Sequence, residues 1–195
     1  MNHRLQQQIN FYLEADKLKT VVRRNFLADG SRRENTAEHS WHLVVLGFTF
    51  LECWKGTPLK VEKLIQMLAL HDLVEIDAGD TFLFDAKGYE DKEQREQAAA
   101  HRLFGLLPPD LALSFREAWE EFESGDSPEA TFARGLDRLS PFLLNLRNGG
   151  QSWKEAGITR DQILTKFQPV KAASLELWEL VETLSLEAQL RGELG

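Results

Sequence analysis

His71-Asp72 sets an imidazole beside a carboxylate at the end of the apolar run Val61 to Leu70, with Glu75 and Asp80 close behind. Nitrogen and carboxylate oxygen together suit a divalent transition ion that is held firmly yet keeps positions open to water. An adjacent His-Asp pair arises often by chance, so its meaning depends on partners elsewhere. His39 lies upstream in Glu38-His39-Ser40-Trp41-His42, and Asp137 lies downstream in Gly135-Leu136-Asp137-Arg138-Leu139. Asp72 and Asp137 fall on apolar helix faces, where a buried carboxylate needs a partner. Inward-facing side chains from several helices commonly assemble a metal site in a bundle. Two nitrogens and two carboxylate oxygens would leave about two open positions on a six-coordinate Mn, Fe or Co ion. A lone histidine on an apolar face is ordinarily a satisfied core residue; four matched positions favour the metal.

Glu75 stands one helical turn after His71 and three residues after Asp72, so it can reach a water beside the metal and act as general base or acid. Asp80 follows Gly79, which permits a tight turn next to the site, although a loop or capping aspartate has the same spacing. Asp77 faces elsewhere. Pro141 follows Asp137 by four residues, so either the helix kinks there or it ends near Ser140 and restarts. His42, His101 and His3 are left outside the metal's ligands, and the five tryptophans read as packing residues.

These side chains must be positioned by helices, because almost every apolar segment has helical spacing and none alternates as a strand. The expected fold class is all-α, with helices near 3–17, 36–54, 58–76, 91–106, 109–123, 128–147 and 159–191, the last bent or broken at Pro169. Asn35 with Glu38 and Thr159 with Gln162 form capping pairs, and Thr57-Pro58 and Ser127-Pro128 put a hydroxyl before a first-turn proline. Two long loops, Val21 to Glu34 and Ile76 to Asp91, flank the proposed metal, one entering the His39 helix and one leaving the His71 helix. Asp29-Gly30 marks a turn in the first. Leu177, Val181, Leu184 and Ala188 line one face of the last helix, as a subunit contact or as core.

The 195 residues fit one domain with a sizeable core. Apolar residues make up 43% and charged ones 28%, as in ordinary globular proteins. No apolar stretch is long enough to span a bilayer, and the N-terminus has no signal-peptide core. Cys53 is the single cysteine, read as a small buried residue in a reducing compartment. A net charge of −8 disfavours nucleic acid as a partner, whereas a metal and one or two arginines can still make a local pocket for a small phosphorylated substrate.

The order His39, His71-Asp72, Asp137 resembles the HD superfamily of metal-dependent phosphohydrolases. The string His71-Asp72-Leu73-Val74-Glu75-Ile76-Asp77-Ala78-Gly79-Asp80 is similar to its small-nucleotidase branch, the bacterial 5′-deoxynucleotidases and their eukaryotic HD-domain relatives. The likeness covers about residues 18–148. It implies one HD-type helical bundle over 1–195, with the helix at about 159–191 packed on the core. It implies one divalent ion (Mn, Co, Fe, Ni, Zn or Mg) on His39, His71, Asp72 and Asp137, with Glu75 managing the proton and Asp80 contacting the sugar. Leu18-Lys19-Thr20-Val21-Val22-Arg23 resembles the segment supplying a phosphate-binding arginine, whose planar fork matches phosphate oxygens. Arg23 is the choice, with Arg24 open beside it. The bacterial enzymes carry a tryptophan directly after this arginine; Arg24 or Asn25 stands here, which weakens the expected selection for a deoxy sugar. The implied activity is hydrolysis of nucleoside 5′-monophosphates, 2′-deoxy ones included, by a cytoplasmic homodimer. A phosphodiesterase or nucleoside triphosphohydrolase is disfavoured by the short chain and the lack of a second metal set. A non-catalytic nucleotide- or metal-binding module is disfavoured by the intact ligand and glutamate positions.

Overall fold

The computed structural model describes residues 2–195 and is almost entirely helical, as the apolar spacing predicts. After α1 (His3–Ala15) and a 3-10 turn (Asp16–Thr20) comes a feature the sequence reading missed. Strands β1 (Val22–Phe26) and β2 (Arg33–Asn35) form an antiparallel hairpin where a long loop was expected. Its register pairs Val22 with Asn35 and Phe26 with Arg33, with an irregularity between. The turn falls at Asp29-Gly30 as read, with Gly30 at φ 71° and its N–H donating to the Leu27 carbonyl.

The hairpin feeds directly into α2 (Thr36–Thr49). Asn35 caps this helix, accepting from the Glu38 N–H while Glu38 accepts from the Asn35 N–H. That reciprocal cap fixes the entry angle of the helix bearing His39. α3 (Val61–Leu70) starts three residues later than Thr57-Pro58 suggested. The Thr57 carbonyl accepts from Trp54 Nε1, and the Lys60 N–H goes to Glu129 on a distant helix. The chain then tightens into a 3-10 turn (His71–Val74) before α4 (Glu75–Ala78). Three residues per turn eclipse Asp72 and Glu75, so Glu75 shares the face of Asp72, not that of His71.

α5 (Lys92–Phe104), α6 (Pro109–Ser124) and α7 (Pro128–Arg147) lie close to their expected bounds. Ser127 and Pro128 start α7 as read, with Ser127 Oγ accepting from the Ala130 N–H. α7 runs unbroken through Pro141. It is the central helix, with Ala130, Phe132, Leu136 and Leu139 fully buried. The expected 159–191 helix is three: α9 (Arg160–Lys166), α10 (Gln168–Ala173) and α11 (Leu175–Leu190), preceded by the unforeseen α8 (Gln151–Ala156). The break falls at Pro169 as predicted, and Ser174 caps the next segment. Gly135 lets α10 approach α7, since a Cβ there would lie 2.3 Å from Ala173 Cβ.

One apolar cluster joins α2, α3, α7 and α11; a second joins Leu18, Leu73, Val74, Phe104 and Trp119. Leu177, Val181 and Ala188 are buried in the first, with Leu184 packed on it. Core packing within the chain therefore accounts for that stripe. Cys53 is buried. Trp41 departs from the packing role: it is 68% exposed and stacks on His42. Among the described residues no helix is long and apolar enough to cross a membrane.

Candidate metal centre

His39 from α2, His71 and Asp72 from the 3-10 turn, and Asp137 from α7 meet in one group. His39 Nε2 lies 3.0 Å from Asp137 Oδ1 and 3.8 Å from Asp72 Oδ2. His71 Nε2 lies 3.2 Å from Asp72 Oδ2 and 3.7 Å from Asp137 Oδ1. Both imidazoles are buried. His39, His71 and Asp72 can each offer one ligand atom within 4.8 Å of the others.

The donor set fits a metal ion. His71 Nδ1 stands 3.2 Å from the Leu68 carbonyl, and that acceptor fixes the proton on Nδ1. Nε2 is buried, aimed into the cluster and without a hydrogen-bond partner, and its lone pair becomes available to a metal when the imidazolium gives up its proton. An imidazole oriented by a carbonyl on its far nitrogen is the usual arrangement of a ligating histidine. Behind His39 stands the carboxylate of Glu34, 3.6 Å from Nδ1 and just beyond hydrogen-bond distance.

Electrostatics bind the cluster together. Burial disfavours protonation of His71, but Asp72 and Asp137 outweigh it and push its pKa up to about 10 in the metal-free protein. For His39, burial and Arg23 work downward, yet Asp137, Glu34 and Asp72 raise it. Asp137 is held well below the usual carboxylate range against its burial, by its hydrogen bond with His39 and the neighbouring His71 imidazole. Asp72 is likewise depressed against its burial, by His71 and Arg23.

Arg23, 12% exposed, enters this group from β1. Its Nη1 donates to Asp72 Oδ2 at 2.8 Å and lies 3.5 Å from Asp80 and 3.8 Å from Glu75; Nε is 3.9 Å from Glu34. Arg24, the alternative, is exposed at the rim. Glu75 is buried, and Thr36 Oγ1 donates to its Oε2 at 2.9 Å. Burial and then the Asp72 charge push the Glu75 carboxyl well above its ordinary pKa, against the pull of Arg23. Burial also raises Asp80. Asp77 turns away to pair with Arg102 at 2.8 Å, as expected.

A narrow cleft opens onto this centre. Arg23, Asp80, Asp137 and Arg138 line its polar side, with Phe82, Phe84 and Phe142 among the apolar ones. Its 79–91 wall is anchored by Arg95, which donates to the carbonyls of Ala78 and Gly88. Gly79, at φ 76° and ψ 153°, makes the turn that brings Asp80 back towards Arg23. That conformation is essentially closed to residues with a Cβ.

Sequence reasoning missed Glu34, Thr36 and Arg138. Glu34 carried a weak signal, being an acid on the segment that enters the His39 helix. Thr36 looked like any first-turn threonine, and Arg138 was quoted only as a neighbour of Asp137. His42, His101 and His3 lie outside the centre, on exposed or half-exposed surface. Arg32 pairs with Glu38, and Arg33 with Glu155, away from the cluster of His39, His71, Asp72 and Asp137.

A fold of this kind, with two histidines and two aspartates drawn from three segments, defines a class: the HD domain family model matches residues 15–178, and the chain belongs to that family. Among relatives, it is 28% identical to the 5′-deoxynucleotidase HDDC2 of Homo sapiens over 142 residues, 72% of this chain and 68% of that protein. It is 29% identical to the HDDC2 of Bos taurus over 136 residues, 69% of this chain and 64% of that one. The match thus spans about two thirds of these relatives' length. The crystal structure of a predicted metal-dependent phosphohydrolase from Magnetospirillum magnetotacticum superposes with a TM-score of 0.94 at 44% identity, covering 98% of this chain and 96% of that one. A Pyrococcus horikoshii protein shares the fold at TM-score 0.61 and 22% identity, over 91% and 98% of the two chains.

Proposed function

We propose that this chain is a metal-dependent phosphomonoesterase that hydrolyses nucleoside 5′-monophosphates, 2′-deoxy ones among them, to nucleoside and phosphate. The observation that carries the reading is the convergence of two imidazoles and two carboxylates, with His71 Nε2 aimed unpartnered into their midst. The names of the relatives support the substrate class. His39, His71, Asp72 and Asp137 would hold one divalent ion. When bound, that ion supplies positive charge for the phosphoryl oxygens and lowers the pKa of a water.

The chain's own groups do the rest. Arg23 uses Nη1 on Asp72, and its Nη2, which makes no hydrogen bond among the described residues, offers donors to the phosphate. Glu75 has one oxygen held by Thr36 and the other free. Its free oxygen would take a proton from the attacking water and pass one on to the leaving 5′-oxygen. Asp80, on the cleft wall, accepts from the sugar 3′-hydroxyl. The cleft's aromatic side, with Phe82, Phe84 and Phe142, offers a face to the base. In this reading the protein is one domain and works in the cytoplasm as a homodimer. The α11 stripe is covered within the chain, so a second copy would use another surface.

Phosphate release tests this after chelation and reconstitution with Mn, Co, Mg or Zn, on nucleoside mono-, di- and triphosphates with ribo and deoxyribo sugars. Metal-restored release from 5′-monophosphates is expected. Release from none of them with any ion would sink the reading, and release from triphosphates alone would reassign it.

A further inference from the structure

The carboxylates of Glu34, Asp72, Glu75, Asp80 and Asp137 gather here around one buried guanidinium. Even a divalent ion leaves the balance of formal charge negative. A phosphate dianion entering such a place needs positive charge from another source. The charge of Arg23 is largely offset, because Nη1 and Nε already face four of those carboxylates, and only Nη2 is left to the substrate.

One other arginine is both anchored at the centre and open to the cleft. Arg138 follows Asp137 on α7, and its Nη1 donates to Asp137 Oδ2 at 3.0 Å. Asp137 Oδ1 faces the imidazoles, so the guanidinium lies on the carboxylate's outer oxygen. A guanidinium carries five N–H donors, and Arg138 makes no other hydrogen bond among the described residues. Its side chain is 28% exposed and lines the cleft, as do Pro141 and Asn145 one and two turns along the same helix edge. Arg24 also reaches the cleft, but from the exposed rim and without an anchor on a ligand.

We propose that Arg138 is a second phosphate-binding arginine, holding Asp137 with one N–H and donating others to the non-bridging oxygens of the substrate phosphate. This rests on the phosphomonoesterase reading. It makes the phosphate site a clamp with Arg23 from the hairpin and Arg138 from α7. Asp137 then serves both the metal and the residue that receives the substrate. The ligand class is a terminal phosphate dianion; a diester, lacking one non-bridging oxygen and one charge, would gain less.

The test uses Mn-reconstituted full-length protein and inorganic phosphate as the probe. Metal content is read first, then phosphate binding by calorimetry, then kinetics on a 5′-monophosphate. Arg138→Gln should keep its metal and weaken phosphate binding about ten- to a hundredfold, the worth of a charge-assisted contact. The same variant should lower kcat/KM with a substantial rise in KM. Arg138→Lys should recover part of both losses, because it restores the charge without the fork. Arg134→Gln, one turn earlier with its guanidinium on the Glu123 carbonyl, controls for net charge and should change neither. Unchanged phosphate binding in Arg138→Gln overturns the proposal, and so does loss of metal from both Arg138 variants, which would make the residue a support for Asp137. Wild-type protein that holds metal yet neither binds phosphate nor hydrolyses any ester overturns the function reading instead.

Discussion

Arg23→Gln separates the electrostatics of the centre from its chemistry. The wild-type guanidinium is 12% exposed, with Asp72 at 2.8 Å, Asp80 at 3.5 Å, Glu75 at 3.8 Å and Glu34 at 3.9 Å. Removing one partner of a buried ion pair typically costs about 3–5 kcal/mol, because the remaining charge is stranded in a poor solvent. In a chain of this size each kcal/mol moves Tm by about 2–4 °C, so metal-free Arg23→Gln should melt roughly 6–20 °C below wild type. Asp72 Oδ2, the oxygen Arg23 holds, is also the one nearest His71 Nε2. A bound ion would therefore neutralise the carboxylate the substitution strands. Thermal melts by circular dichroism, with chelator and with saturating Mn, should show the gap narrowing when the ion is present. A fall below about 2 °C in chelator, or an equal fall with and without Mn, would refute the assignment of Arg23 as counter-ion to this cluster.

Three other outcomes are expected. In metal-free protein His71 has its pKa raised to about 10, above the ordinary value of about 6.5, so the folded state binds the extra proton between those limits. Its contribution to stability is full below about pH 6.5 and fades as pH rises towards 10. Metal uptake at pH 7.5 should then release about one proton or more, read as a dependence of calorimetric heat on buffer ionisation enthalpy; no dependence would contradict it. Gly135→Ala would set a Cβ 2.3 Å from Ala173 Cβ and 3.0 Å from the Pro169 carbonyl, and overpacking of this kind costs about 1–3 kcal/mol; an unchanged Tm would mean that α10 moves freely on α7. Glu75→Gln should keep its metal and lose about 10²–10⁴-fold in kcat; full activity would remove Glu75 from the proton path.

The parts of the fold legible in sequence are those fixed locally. Asn35, Ser127 and Thr159 cap helices where their side chains say they should, because a cap needs only its own first turn. Thr57-Pro58 carries the same local signal and fails, since Glu129 of α7, 69 residues away, takes the Lys60 N–H and moves the start to Val61. Long-range contacts leave no mark in a window of a few residues. α8 escaped because six residues are too few for a period to register. At the centre, residue types and order point to His39, His71, Asp72 and Asp137. Their depth and mutual contacts depend on chain segments brought together across 98 residues.

The hairpin shows why spacing could not choose between Arg23 and Arg24. Along a strand, successive side chains point to opposite faces, so a slip of one residue in register exchanges the two arginines. Val22 pairs with Asn35 and Phe26 with Arg33, which sets more residues on β1 than on β2 and requires the irregularity between. That extra length decides the phase: Arg23 turns inward and Arg24 outward, with Glu34 buried on the facing strand. Neither strand has the alternating apolar pattern that would announce it, because the face it buries is polar, with Arg23 and Glu34 facing each other and His39. Apolar periodicity reports burial driven by the hydrophobic effect. A hairpin buried to deliver a guanidinium and a carboxylate to a cluster of imidazoles and carboxylates is invisible to it. Its charges make sense only once α2 and the 3-10 turn stand opposite.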